Sequence, residues 1–113
     1  MDPSTERPRL TVALTFDHDA ISDSVRRGDP PVKLSHGEFG ARVGVPRILG
    51  LLAREGIPAS WFVPGHTIET FPETIEAILA GDNELAVHGW FHEDLSELGV
   101  DEQRSILERC SRS

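Results

Sequence analysis

No apolar run in the 113-residue sequence approaches the ~18 residues that a membrane-spanning helix requires. The stretch from Met1 to Arg9 is polar and contains proline where a secretory leader would carry its apolar segment, so no export is expected and a cytoplasmic location is. Cysteine occurs once, at Cys110, which rules out an internal disulfide, suits a reducing compartment and reads as a structural or incidental thiol. Basic residues are outnumbered, 11 Lys and Arg against 19 Asp and Glu, for a net charge of -8. That balance argues against a nucleic-acid partner, whose phosphates need a concentrated basic face. A small neutral or cationic substrate is easier to accommodate. Residues 1–9 are expected to form a disordered tail and residues 10–113 one domain, or part of one, able to bury roughly two thirds of its unfolded surface.

Apolar runs of strand length are nevertheless present. Leu10–Phe16 is nearly continuous in its hydrophobicity, which predicts a strand buried on both faces, as in a parallel sheet. From about Ala20 to Gly40 the chain has prolines, glycines and scattered charges without a period, which reads as a long loop able to act as a lid, with His36 on its surface. Pro46–Glu55 places Ile48, Leu49, Leu51 and Leu52 on one broad face, has proline in its first turn and is followed by Gly56, the signature of an amphipathic helix. Ala59–Val63 is a second strand between prolines. Thr70 and Glu73 have the spacing of a capping box, with Ile75, Ile78 and Leu79 carrying a helix to Gly81. Glu84–Val87 is a third strand, and Asp101–Arg109 a third helix with acidic residues first and arginine last.

Strands alternating with helices imply a parallel α/β sheet, open or part of a barrel, in which ligands collect at the C-terminal strand ends. Asp17 and Asp19, His66, and His88 and His92 all directly follow predicted strands, so three segments converge on one face. Residues two apart in extended backbone point the same way, which puts Asp17 and Asp19 side by side and turns His18 away. Paired carboxylates call for a positive neighbour, and a divalent cation is the usual one. His88 and His92, four apart, can share an ion from a helix face or, given Gly89, from a tight turn. One carboxylate and two imidazoles leave a metal position open for water, and the second carboxylate is then free to act as a base in amide or ester hydrolysis. Asp-x-Asp after a strand also serves as a turn or capping device. The combination carries the argument.

These residues resemble a known family. Leu14-Thr15-Phe16-Asp17-His18-Asp19 is similar to the Thr-Phe-Asp-Asp first motif of the polysaccharide deacetylases, the nodulation-protein deacetylase homology domain. His88-Gly89-Trp90-Phe91-His92-Glu93 is similar to their His-x-x-x-His second motif. The stretches from Gly40 to Arg47 and from Trp61 to His66 resemble the subgroup of intracellular peptidoglycan-deacetylase-like proteins, cofactor-independent allantoinases and cyclic imide hydrolases. The resemblance implies parallel β/α units forming the N-terminal part of a distorted (β/α) barrel. It implies Asp17 as general base, and Asp19, His88 and His92 as ligands of a divalent metal, zinc by its donor set, although some relatives in the subgroup act without one. The implied reaction is hydrolysis of a carbon-nitrogen bond other than a peptide bond, on an N-acetylated sugar, with a cyclic imide or an allantoin-type ring amide as the alternative.

Arg42, His66 and Trp90 are further candidates for contact with substrate. Where the family commonly has Gly-His-Glu, this chain has Asp82-Asn83-Glu84. A whole eight-fold barrel takes ~250 residues, so the later motifs, including the catalytic acid histidine, are expected beyond residue 113. Three units alone would leave sheet edges open, which suits a fragment, a chain completed by a partner such as a second copy, or a non-catalytic truncated homologue.

Overall fold

The computed structural model describes residues 9–113, so the expected tail lies, Arg9 apart, outside the described residues. Three parallel strands, β1 (Thr15–Asp17), β2 (Ala59–Val63) and β3 (Asn83–Val87), lie in the order β1-β2-β3. Phe16, Trp61 and Leu85 stand side by side in register, and so do Asp17, Phe62 and Ala86 one residue further on. Between the strands run helices α1 (Ser22–Arg27), α2 (Pro31–Phe39), α3 (Val45–Glu55), α4 (Gly65–Thr70) and α5 (Pro72–Ala80), and α6 (Val100–Ser111) follows β3.

The period of two along β2 decides where the core sits. Ala59, Trp61 and Val63 are buried and pack with Val45 and Leu52 of α3 and with Ile75 and Ile78 of α5, while Ser60 and Phe62 on the other face are only half-buried. Helices therefore cover one face of the sheet. On the opposite face Ser60 donates a hydrogen bond to the exposed Glu84 at 2.5 Å. Helix α3 packs Val45, Ile48, Leu49 and Leu52 on the core, whereas Leu51, expected on the same face, is exposed, and Gly56 closes the helix at φ 66°, a left-handed conformation that glycine adopts without steric cost.

Four expectations are corrected. The first strand is confined to Thr15–Asp17 and is not buried on both faces: it is an edge strand, and Leu10 and Val12 are 76% and 71% exposed because neither a neighbouring strand nor a covering layer meets them among the described residues. The segment Ala20–Gly40 is helical rather than a loop. Asp23 pairs with Arg26 and Arg27 one turn on, Gly28 ends α1 in the left-handed conformation, and Pro30-Pro31 opens α2. With no buried residue in α2, the sequence had no apolar period to show. His36 lies on that helix.

The Thr70/Glu73 capping box does not form. Thr70 ends α4 and donates its hydroxyl back to the His66 carbonyl at 2.7 Å, while α5 starts on Pro72, whose missing N–H suits a first helical position. Helix α4 itself carries no sequence signal of its own, being six residues long. No helix of the described residues is long and apolar enough to cross a membrane.

Candidate metal centre

Both motifs sit where the backbone ladder runs out. The His18 amide donates to the Phe62 carbonyl at 2.9 Å, carrying the β1–β2 pairing one residue past the strand. On the other side the Gly65 and His66 amides donate to the Gly89 and Trp90 carbonyls, each at 3.0 Å, and dock the second motif on the start of α4. The sheet thus presents the carboxylates and the imidazoles at the C-terminal end of its strands.

The expected alternation along the first motif is present. Asp17 and Asp19 reach the same cluster while His18 is buried on the helix side, its Nε2 2.8 Å from Thr74 Oγ1. Thr74 already gives its one hydroxyl hydrogen to the Phe71 carbonyl at 2.7 Å, so His18 Nε2 is the donor and the ring is the neutral Nε2–H form. Burial lowers the His18 pKa from 6.5 to about 4. His18 is a structural residue.

The second motif is a turn rather than a helix. Gly89 has φ 73° and His92 φ 54°, and Glu93 Oε1 accepts from the Trp90 and Phe91 amides at 2.9 and 3.0 Å. That carboxylate organises the whole turn. Residues of this type after a motif give no distinctive spacing, and sequence reasoning assigned Glu93 no role.

Asp19, His88 and His92 each offer an atom to one point, with all three atoms within 4.8 Å of one another. His88 Nε2 lies 3.3 Å from Asp19 Oδ1 and 3.6 Å from Asp17 Oδ2, and His92 Nε2 lies 3.8 Å from Asp19 Oδ2. The two rings meet edge to face at 4.6 Å. Asp19 Oδ1 and His88 Nε2 are both buried and neither makes a hydrogen bond. Orphaned polar atoms carry a desolvation cost of about 1–3 kcal/mol each. Two ligands at ~2.1 Å from a tetrahedral zinc stand ~3.4 Å apart, so the spacing of these two atoms fits a shared ion. The residues present therefore fit a divalent cation. Burial raises the Asp19 pKa, and the neighbouring His92 and His88 oppose that rise.

Asp19 is also held from behind. Thr67 donates to its carbonyl at 2.9 Å, Ser22 Oγ lies 2.7 Å from Thr67 Oγ1, and His66 Nδ1 lies 3.1 Å from Ser22 Oγ. Counting hydrogens, one per hydroxyl, fixes the direction: His66 Nδ1–H to Ser22, Ser22 to Thr67, Thr67 to Asp19. Burial lowers the His66 pKa, with Glu69 opposing; its Nε2 lies 3.3 Å from Thr70 Oγ1, and its ring meets Phe91 at 4.8 Å. Ser22 and Thr67, both wholly buried, had no signal in the sequence.

The other two candidates stand elsewhere. Arg42 lies on the π-helical turn Gly40–Gly44, 3.8 Å from Glu38 and with its guanidinium 5.8 Å from the centre of the Phe71 ring. Trp90 is buried, one face 3.5 Å beneath the Arg109 guanidinium and its edge against Gly65, where any Cβ would overlap the indole. Cys110 is buried too, and burial raises its pKa.

Comparison with known proteins places this arrangement. The chain is 39% identical over 110 residues to a peptidoglycan deacetylase-like protein of Gibberella zeae, covering 92% of this chain and 32% of that protein. It is 36% identical over 101 residues to a peptidoglycan deacetylase of Helicobacter pylori, covering 87% and 34%. The crystal structure of a putative polysaccharide deacetylase from Mycobacterium smegmatis superposes with a TM-score of 0.77 at 41% identity, covering 86% of this chain and 35% of that one. The chain thus spans about a third of the length of these relatives. The family model for polysaccharide deacetylase matches residues 4–113, and the chain belongs to that family.

Proposed function

We propose that this chain supplies the base and the metal ligands of a hydrolase that removes the acetyl group from an N-acetylated sugar of the peptidoglycan type. The observation that carries the reading is the pair of orphaned atoms, Asp19 Oδ1 and His88 Nε2, facing each other with His92 beside them. The relatives named for peptidoglycan deacetylation support the substrate class.

Asp19, His88 and His92 would hold a divalent cation, zinc by its mixed nitrogen and oxygen donors. Bound there, it would polarise the amide carbonyl and make water a stronger acid. Asp17 stands at the rim of the cluster, 3.6 Å from His88 Nε2 and with its side chain 57% exposed. Its carboxylate takes the proton from the attacking water. Thr67 and Ser22 keep Asp19 from turning away, and His66 anchors that chain of bonds through Nδ1.

The test is zinc uptake by the wild-type chain, His92→Ala and Asp17→Asn. His92→Ala should lose zinc and Asp17→Asn should retain it, and equal uptake by wild type and His92→Ala would sink the ligand assignment. In a protein that also carries the later motifs, acetate release from an N-acetylated peptidoglycan fragment should disappear in Asp17→Asn. Ring opening of a cyclic imide without acetate release would replace the substrate class.

A further inference from the structure

Helix α1, the segment that looked like loop in the sequence, touches the second motif at two places. Asp23 Oδ1 stands 3.8 Å from His92 Nδ1, on the far side of the ring from Asp19, which faces Nε2 at 3.8 Å. Arg26 Nε donates to the Phe91 carbonyl at 3.2 Å, and its guanidinium also holds Asp23 Oδ1 at 2.6 Å. Arg27 takes the other oxygen of Asp23 at 3.0 Å. Ser22, at the start of the same helix, is bonded to Thr67 and His66. The Asp23 carboxylate is therefore fixed in place before it meets the imidazole, and the residue preceding His92 is tied to the same arginine.

From this geometry we infer that Asp23 is the positioning carboxylate of His92: its charge faces Nδ1 at ion-pair distance and favours the proton there, which leaves the Nε2 lone pair directed at the point shared with Asp19 and His88. Histidine ligands commonly need such an outer partner, which sets both the tautomer and the ring angle. His92 needs one more than most, because its φ of 54° is a conformation that L residues adopt at a cost and the ring is carried on a turn rather than on a helix. The inference rests on the metal reading given above.

The experiment titrates zinc alone into the wild-type chain, Asp23→Asn and Asp29→Asn, and follows the His92 ring protons by NMR in the zinc-loaded forms. Asp29 serves as control because it shares Arg27 at 3.2 Å without facing the imidazole. Asp23→Asn should bind zinc about 10–100-fold more weakly and lose the slowly exchanging His92 Nδ1 proton, while Asp29→Asn keeps both. Asp23→Glu, which keeps the charge, should retain the Nδ1 proton. Equal zinc affinity in wild type and Asp23→Asn, or equal weakening in Asp29→Asn, overturns the role of Asp23 and leaves the metal site standing. A wild-type chain that takes up no zinc overturns the metal reading and this role together.

Discussion

The two sides of the candidate centre are built by different means. Asp17 and Asp19 ride on extended backbone, where a spacing of two places both carboxylates on one side and the pairing with β2 fixes their height. His88 and His92 ride on a turn with two left-handed residues, which two backbone bonds from α4 dock but do not shape. The carboxylate side follows from strand geometry, whereas the imidazole side depends on particular side chains brought from elsewhere. Glu93 ties the turn internally, Asp23 and Arg26 tie it to α1, and the α4 amides tie it to the sheet. Disturbance should therefore propagate further on the imidazole side.

Removing the internal tie is the strongest way to break that asymmetry. Glu93→Ala leaves the Trp90 and Phe91 amides without the carboxylate they share. Hydrogen bonds to charged groups are worth about 1.5–3 kcal/mol each, so a loss of about 3 kcal/mol is expected in urea unfolding, together with loss of zinc binding. The matching change on the other side, Thr67→Val, takes a neutral donor from the Asp19 carbonyl and an acceptor from the Ser22 hydroxyl, and should cost about 2 kcal/mol. If Thr67→Val proved the more damaging of the two, the comparison would be reversed.

The same asymmetry explains what could be read in advance. Strand β2 was legible residue for residue because apolar and β-branched side chains between prolines leave few alternatives, and α3 because its stripe, its early proline and Gly56 agree. The shared direction of Asp17 and Asp19 followed from a period of two. The His88–His92 spacing, by contrast, allowed helix or turn, and the residue that decides it, Glu93, acts through an oxygen on two amides, a contact without a sequence signature. Helix α1 was hidden because its function lies in Ser22, Asp23 and Arg26, polar residues that lend a segment the look of a loop. The first strand was overread because an apolar run shows what could be buried, and burial also needs a neighbour.

His18 carries that reasoning to the back of the first motif. Its buried neutral ring has a pKa lowered to about 4, whereas the unfolded chain takes up the proton near 6.5. The unfolded state therefore binds more protons between those values, so stability is complete above pH 6.5 and declines as the pH falls toward 4. At about 1.4 kcal/mol per unit the loss between pH 7 and pH 4.5 should come to about 2 kcal/mol. Denaturation followed at pH 7 and pH 4.5 measures it, and His18→Gln should remove this component of the slope. A slope unchanged in that variant would show that the carboxylate side draws its pH dependence from elsewhere.

The smallest expected effect is the most specific to the turn. If His92 is held in left-handed backbone for the sake of its ring, then once the ring is gone glycine should suit the position better than alanine. His92→Gly is expected to be more stable than His92→Ala by about 1 kcal/mol, although neither binds zinc. Comparing two variants that both lack the imidazole cancels its contacts with Asp19, Asp23 and His88 and isolates the backbone contribution. Equal stability would mean that the turn carries no strain at His92, and that the ring is directed by its side-chain partners alone.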